Sequence, residues 1–132
     1  MTHELKLKVR DYECDLQGIV NNANYQHYCE HARHEMLLGL GGSFDELHQK
    51  GIDLVVARIT LAYKVSLRSR DEFVVRTRAE KERFKYIFHH DIVRLSDGKL
   101  TCRAKVEIVA VVNGELAASC PEVDKFLEIG NP

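Results

Sequence analysis

An excess of charge of one sign is missing from this sequence. Its 132 residues include 19 basic and 20 acidic side chains, and the formal net charge at pH 7 is −1. A domain that binds nucleic acid usually carries a strongly basic surface, because it has to neutralise phosphates. The balance of charge therefore argues against nucleic acid as a partner.

Long apolar runs are also missing. A helix that crosses a bilayer needs about 20 consecutive apolar residues, and the chain has no uncharged segment of that kind. Residues 1–6 include no long apolar stretch such as secretory signals contain. We therefore expect a soluble, cytoplasmic protein without a membrane span.

The cysteines form no C-x-x-C pair. Cys14, Cys29, Cys102 and Cys120 lie far apart in the sequence, which gives no support to a zinc site. In a protein without a secretion signal such cysteines are usually reduced, and several of them are usually buried. We predict free thiols, no metal and no cofactor.

The apolar residues that are present follow two different periods. Leu5, Leu7 and Val9 alternate with charged residues, which is typical of a half-buried strand. From Tyr25 onward the apolar positions share one side of a helix instead, and glycines end that helix between residues 39 and 42. The predicted buried stripe of this helix consists of Tyr25, Cys29, Ala32, Met36 and Leu40.

The second half of the chain has the pattern of β-structure. Runs rich in apolar and β-branched residues predict a meander-like set of strands at 54–65, 73–83, 86–95 and 100–112. Asp97-Gly98 and Asn113-Gly114 are typical of tight turns, because these residues readily adopt positive φ angles. Ser43 is a candidate N-cap of a short second helix.

One strand, one long helix and four further strands predict an α+β fold, in a single domain over residues 1–132. The helix can bury its apolar stripe only against the sheet, since nothing else in the chain can cover it. Residues 109–112 are apolar on both faces of their strand, and an open sheet leaves two edges unpaired. We therefore expect a homodimer or a homotetramer.

The segment between the first strand and the helix carries the candidates for chemistry. Asp15 comes three positions before Gly18, which permits an unusual turn, and asparagines lead from there into the helix. Free N–H groups at a helix start can polarise a thioester carbonyl, and a carboxylate opposite them can attack that carbonyl or activate a water. The same residues also fit a simpler interpretation, in which Asp15 only caps the turn that Gly18 permits.

Residues 15–20, Asp-Leu-Gln-Gly-Ile-Val, are followed by Asn24-Tyr25. Together they resemble the D-x-x-G-[IV]-V-x-x-x-[NS]-Y motif of the 4-hydroxybenzoyl-CoA thioesterase and YbgC-like acyl-CoA thioesterases. The likeness continues at residues 28–36, which are similar to that family's F-Y-E-x-A-R-x-E-[ML] stretch. The resemblance implies a hotdog fold, in which a five-stranded antiparallel sheet wraps one long central helix. It also implies hydrolysis of acyl-CoA thioesters to a free acid and coenzyme A.

The resemblance also assigns roles to particular residues. It implies that Asp15 is the catalytic nucleophile or general base and that the backbone N–H of Asn22 polarises the thioester carbonyl. Positions 21 and 22 are aromatic or histidine in many relatives and asparagine here, so no acyl-group preference is implied. The implied substrate-binding residues are Gly18, Ile19, Tyr25, Val55, Lys81, Arg83 and Lys85.

Several alternatives stay open at this point. Lys81, Arg83 and Lys85 fit phosphate binding and ordinary solvated surface charge equally well. The same fold and carboxylate also suit the thioester of an acyl carrier protein, or a protein that binds acyl-CoA without hydrolysing it.

Other polar residues of the helix have simpler explanations. His27, His31 and His34 have spacings that metal sites use, but we interpret them as exposed side chains. Another branch of hotdog thioesterases uses a helix glutamate as its carboxylate. We expect Glu30 instead to pair with Arg33 or His34.

Overall fold

The computed structural model describes residues 2–127. Two helices lie close to their predicted positions: α1 spans Asn22–Gly39 and α2 spans Phe44–Gln49. A third helix, α3, spans Pro121–Leu127. The strands are β1 Thr2–Lys8, β2 Ile52–Tyr63, β3 Glu72–Glu82, β4 Lys85–Arg94, β5 Leu100–Val112 and β6 Glu115–Leu116.

Five long strands form one antiparallel sheet in the order β1-β3-β4-β5-β2, and the two-residue β6 pairs with the end of β5. The predicted α+β class, with one long helix against an antiparallel sheet, is confirmed. The expected meander of four strands is only partly correct, because β2 pairs with β5 and not with β3. Short turns force β3, β4 and β5 to be neighbours, whereas residues 64–71 are long enough to cross from one side of the sheet to the other. The unpaired edges are therefore β1 and β2.

Helix α1 begins three residues before the predicted stripe. The side-chain oxygen of Asn21 accepts a hydrogen bond from the N–H of Ala23 at 3.0 Å, which satisfies one of the free groups of the first turn. The apolar stripe of α1 packs on the inner face of the sheet, and Tyr25, Cys29, Ala32 and Met36 are buried as predicted. Ser43 caps α2 by accepting from the N–H of Glu46 at 3.0 Å.

A buried polar layer divides the core beneath α1 into two apolar clusters. It consists of Arg33 on α1, His90 on β4 and Thr77 on β3, which are 5%, 0% and 0% exposed. Arg33 donates to Nε2 of His90 at 3.2 Å, so the other ring nitrogen carries the proton and donates to Thr77 at 2.8 Å. Arg33 points into the core and the ring of His34 packs against Phe44. Among residues 2–127 Glu30 forms no salt bridge with either, so the prediction that it pairs with Arg33 or His34 is wrong. On this helix surface Nε2 of His31 instead lies 3.9 Å from the carboxylate of Glu35.

Candidate active site

The loop between β1 and α1 folds back on itself at Asp15. The N–H of Gly18 donates to the carbonyl of Asp15 at 3.0 Å, and the N–H of Asp15 donates to the carbonyl of Ile19 at 2.9 Å. Gly18 has a φ of 80°, which residues with a Cβ atom rarely adopt. The carboxylate of Asp15 accepts from the N–H of Gln17 at 2.8 Å through Oδ1. Asp15 does cap the turn, as the simpler interpretation requires, but this bond uses only one of its two carboxylate oxygens.

The start of α1 offers a backbone donor close to this turn. Asn22 is the first helical residue, and its N–H has no acceptor within the helix because no helical turn precedes it. The neighbouring donors are already used. The N–H of Ala23 donates to the Asn21 side chain at 3.0 Å, and the N–H of Asn24 donates to the Asn21 carbonyl at 2.9 Å.

Asp15 and Asn22 line the same pocket, which has a volume of about 220 Å³. The charged side chains around it belong to Asp15 and Lys64, and the other walls are apolar, aromatic or neutral. The remaining lining residues are Ile19, Val20, Tyr25, Tyr63, Val65 and Ser66. The structure thus brings together four of the residues proposed from sequence, Asp15, Ile19, Asn22 and Tyr25, and Gly18 shapes the adjoining turn.

Tyr25 and Tyr63 form the aromatic wall of the pocket. Their rings meet edge to face with centroids 5.5 Å apart. Tyr63 donates to the carbonyl of Asn22 at 3.2 Å, and the oxygen of Tyr25 accepts from the N–H of Leu67 at 3.0 Å. Burial raises the pKa of the Tyr25 hydroxyl above its usual value. Sequence reasoning missed Tyr63, because nothing in a strand pattern shows which helix its last residue will face.

Glu13 was also missed, although it connects the loop to the helix. Glu13 is 8% exposed, and its carboxylate accepts from the hydroxyl of Tyr28 at 3.0 Å and from the N–H of Arg10 at 2.8 Å. Its carbonyl oxygen accepts from the N–H of Asn21 and from the side-chain amide of Asn24, each at 2.9 Å. Burial, followed by the effect of the Glu13 carboxylate, raises the pKa of Tyr28. Glu13 therefore holds the Asp15 turn against the first turn of α1.

Two of the three basic residues predicted to bind substrate have carboxylate partners within the chain. Lys81 contacts Asp124 at 3.1 Å, and Lys85 contacts Glu107 at 3.1 Å. Arg83 lies in the turn between β3 and β4 with a φ of 59°.

These residues also lie at the opposite end of the sheet from the pocket. Val55 and Lys85 both pair with Val109 of β5, whereas Tyr63 pairs with Cys102. Seven residues along a strand correspond to about 23 Å. Within one chain, therefore, Val55 and the three basic residues do not meet the Asp15 pocket.

The other sequence predictions concern metals, thiols and membranes. Within residues 2–127 there is no group of three or more His, Cys, Asp or Glu side chains placed to hold a metal ion. The four cysteines are free thiols, as predicted. None of the helices in the described part of the chain combines the length and the apolarity that a membrane span requires.

Comparison with known sequences places these features in a family. The sequence profile described as "Thioesterase-like superfamily" matches residues 9–127. A putative esterase of Aquifex aeolicus (strain VF5) is 30% identical over 122 residues, which cover 92% of this chain and 94% of that protein. The chloroplastic acyl-acyl carrier protein thioesterase ATL3 of Arabidopsis thaliana is 41% identical over 104 residues, which cover 78% of this chain and 55% of ATL3. The chain spans 55% of ATL3 and 40% of its counterpart ATL2, or about half the length of these plant relatives.

Solved structures show the same architecture. The crystal structure of the Aquifex aeolicus protein AQ1494 superposes with a TM-score of 0.88 at 28% identity, covering 95% of this chain and 98% of that chain. Slr0204 of Synechocystis, a 1,4-dihydroxy-2-naphthoyl-CoA thioesterase, also superposes with a TM-score of 0.88, covering 96% of each chain. Its identity is only 14%, so this second likeness concerns the fold alone.

Proposed function

Since the chain belongs to the thioesterase-like superfamily, we propose that it hydrolyses acyl-CoA thioesters to a free acid and coenzyme A. Asp15 is the catalytic carboxylate, and the backbone N–H of Asn22 polarises the thioester carbonyl. The observation that carries this proposal is the pocket of about 220 Å³ that both residues line. Pockets that enclose drug-sized ligands are larger, at about 300–1,000 Å³, so this one suits the reacting end of a thioester.

The start of α1 stabilises the charge that develops in the reaction. A thioester oxygen at the N–H of Asn22 accepts a hydrogen bond and also meets the positive end of the helix dipole. Negative charge grows on this oxygen as the carbonyl carbon is attacked. The interaction therefore strengthens toward the transition state, which is the condition for accelerating the reaction.

Asp15 can supply the attack by two routes. As a general base it takes a proton from water while the water oxygen bonds to the carbonyl carbon; the intermediate then expels the thiolate, which takes that proton. As a nucleophile it forms a mixed anhydride with release of the thiolate, and water then cleaves the anhydride. A single turnover in ¹⁸O-labelled water separates the routes, because only the anhydride route can leave label in the Asp15 carboxylate.

We propose that the protein works as a homodimer formed along β2. This edge strand is twelve residues long, and its Val55 and Val56 are 47% and 44% exposed. A long apolar edge normally pairs with another strand, because its N–H and C=O groups are otherwise left open. A second copy of β2 satisfies both the backbone groups and the exposed side chains.

A dimer of this kind also gives the distant basic residues a role. Two β2 strands related by a two-fold axis run antiparallel, so the Tyr63 end of one meets the Val55 end of the other. Lys85 on β4 and Val55 on β2 both pair with Val109 of β5. Lys85 therefore lies beside Val55 at a distance of two strand spacings, or about 10 Å. The phosphates of coenzyme A can then bind to the basic turn of the second copy, which carries Lys81, Arg83 and Lys85.

The test is thiol release from acetyl-, benzoyl- and palmitoyl-CoA, followed with a colorimetric thiol reagent. We expect hydrolysis of at least one of them, and Asp15→Asn should lower turnover by at least about a hundredfold while the protein stays folded. Glu30→Gln is the matched control, because it neutralises an exposed carboxylate on α1 outside the pocket. Absence of release from every substrate contradicts the activity, and full activity of Asp15→Asn contradicts the choice of carboxylate.

Acyl carrier protein is the second candidate for the thiol carrier. It is favoured by the identity to ATL3 and ATL2, which are 41% and 46% identical and are named as acyl-acyl carrier protein thioesterases. The same acyl group presented on coenzyme A and on acyl carrier protein distinguishes the two, through the ratio of their kcat/KM values. Binding of acyl-CoA without thiol release would instead indicate the non-catalytic function.

A single domain over residues 1–132 and a cytoplasmic location stay predictions.

A further inference from the structure

The two tyrosine hydroxyls in the pocket are used in different ways. The hydroxyl of Tyr63 donates its proton to the carbonyl of Asn22 at 3.2 Å. Tyr25 accepts a hydrogen bond from the N–H of Leu67 at 3.0 Å, and this bond uses only its oxygen. Within residues 2–127 the Tyr25 proton has no acceptor. One of the two tyrosines that line the pocket therefore has a hydroxyl proton that is not already donated.

Tyr25 lies on the first turn of the helix, close to the proposed oxyanion donor. Tyr25 comes three residues after Asn22 on the first turn of α1, and helical side chains point back toward the N-terminus. Its side chain lines the pocket together with Asp15 and Asn22.

The ring of Tyr25 is also held rigidly. It is 4% exposed and packs edge to face against Tyr63 and Tyr28, with centroid distances of 5.5 and 6.1 Å. The remaining freedom is rotation of the O–H bond, and the hydrogen bond from the N–H of Leu67 to the oxygen restricts it. A donor that is oriented before the substrate arrives needs no reorganisation during the reaction.

We propose that the hydroxyl of Tyr25 donates a second hydrogen bond to the thioester oxygen, beside the N–H of Asn22. This inference rests on the proposed function and adds a catalytic residue to it. The thioester oxygen becomes negative in the tetrahedral transition state, so two donors stabilise it more than one. The proton remains on Tyr25 throughout, and no bond to the tyrosine is formed or broken. Burial raises the pKa of this phenol, which keeps it in the protonated form that donates.

The first measurement is the kinetic effect of Tyr25→Phe. This change keeps the ring that fills the pocket wall and removes only the hydroxyl. We expect kcat to fall by about a hundredfold, as for the loss of other oxyanion donors, while KM changes by less than about threefold, since the contact strengthens in the transition state. An unchanged kcat overturns the proposal.

The second measurement reads the hydrogen bond directly and needs no turnover. The probe is whichever of acetyl-, benzoyl- and palmitoyl-CoA the wild type hydrolyses fastest, labelled with ¹³C at the thioester carbonyl. It is bound to Asp15→Asn and observed by isotope-edited infrared spectroscopy. We expect the bound carbonyl stretch to move to higher wavenumber when Tyr25→Phe is added, because one hydrogen bond is lost. Tyr12→Phe should leave the frequency unchanged, since Tyr12 is 79% exposed and does not line the pocket.

An equal carbonyl frequency with and without the Tyr25 hydroxyl overturns the inference. If Tyr25→Phe does not fold, 3-fluorotyrosine at this position serves instead. Its more acidic proton should move the carbonyl to lower wavenumber, and an unmoved carbonyl again overturns the inference. Failure of the proposed function has a different signature, which is absence of thiol release by the wild type or full activity of Asp15→Asn.

Discussion

The hydroxyl of Tyr28 on α1 donates a hydrogen bond of 3.0 Å to the buried carboxylate of Glu13 in the loop before the helix. The carbonyl of Glu13 in turn accepts from the N–H of Asn21 and from the side chain of Asn24. Glu13 thereby connects the turn that carries Asp15 to the helix start that carries the proposed oxyanion donor.

Removing the Glu13 carboxylate should damage both stability and turnover. Glu13→Ala leaves the hydroxyl of Tyr28 buried without a partner, which costs about 1–3 kcal/mol of unfolding free energy. It also frees the loop, and we expect kcat to fall by about tenfold, because small displacements of reacting groups are costly. Glu13→Gln keeps an acceptor oxygen for Tyr28 and should retain most of the activity.

Urea unfolding and steady-state kinetics measure these two effects. The control is Tyr12→Phe, since that hydroxyl belongs to a side chain that is 79% exposed. Its loss should change stability by no more than about 0.5 kcal/mol. If Glu13→Ala lowers stability but keeps the wild-type kcat, Glu13 holds the fold together without positioning the site.

Gly18→Ala should reduce activity through the backbone alone. The φ of Gly18 is 80°, and an added Cβ would meet no atom within 4 Å. The cost is therefore conformational, about 1 kcal/mol, and relaxation of the turn shifts Asp15. Gly98 provides a matched control in the β4–β5 hairpin, with a φ of 70° and equally open space. Both variants should lose similar stability in urea, and only Gly18→Ala should lower kcat; equal kcat values for the two would contradict this.

The stability of the protein should fall with acid because of His90. Burial, and then the nearby charge of Arg33, lowers the pKa of His90 to about 3 from its usual 6.5. Below pH 6.5 the His90 side chain binds a proton in the unfolded chain but stays neutral in the folded protein. The contribution of His90 to the free energy of unfolding is therefore complete above that pH. It decreases by about 1.4 kcal/mol per pH unit as the pH falls toward 3.

Urea unfolding between pH 7 and pH 5 measures this loss, because most carboxylates stay ionised over that range. His90→Gln should show a shallower decline, since its side chain is neutral throughout. His34→Gln is the control for the loss of a histidine as such, because His34 is exposed and forms no salt bridge among residues 2–127. It should keep the wild-type slope. The same slope in His90→Gln as in the wild type would show that another group is responsible.

The proposed dimer can be tested by charging its edge. Val56→Lys places a cation on the exposed apolar part of β2 and should prevent pairing with a second copy. We expect the wild type to sediment as a dimer or a tetramer, and the variant to sediment as a monomer with strongly reduced turnover. Leu116→Lys is the control, because Leu116 is also exposed but lies on β6. A wild type that is monomeric and active would contradict the dimer.

Sequence reasoning succeeded where the signal lies within one element. The buried stripe of α1, the cap at Ser43 and the turn at Asn113-Gly114 follow from spacings of a few residues. Such patterns are reliable because helix period, capping and turn angles depend on neighbouring residues only. The motif from Asp15 to Tyr25 is local in the same sense, and five residues of this segment line one pocket: Asp15, Ile19, Val20, Asn22 and Tyr25.

Tertiary structure alone decided which elements meet. Sequence could not show that β2 crosses to the far edge of the sheet, or that Arg33 turns into the core to contact His90, 57 residues away. It also could not place Tyr63 opposite the helix start or pair Lys85 with Glu107.

The physical reason is that these contacts join residues that are far apart in the sequence. Such contacts depend on the register of distant strands, and one local pattern is compatible with several registers until the whole sheet is packed. The sequence thus determined the elements and the residue types that the loop carries. Packing determined the walls of the pocket and which cations lie far from it.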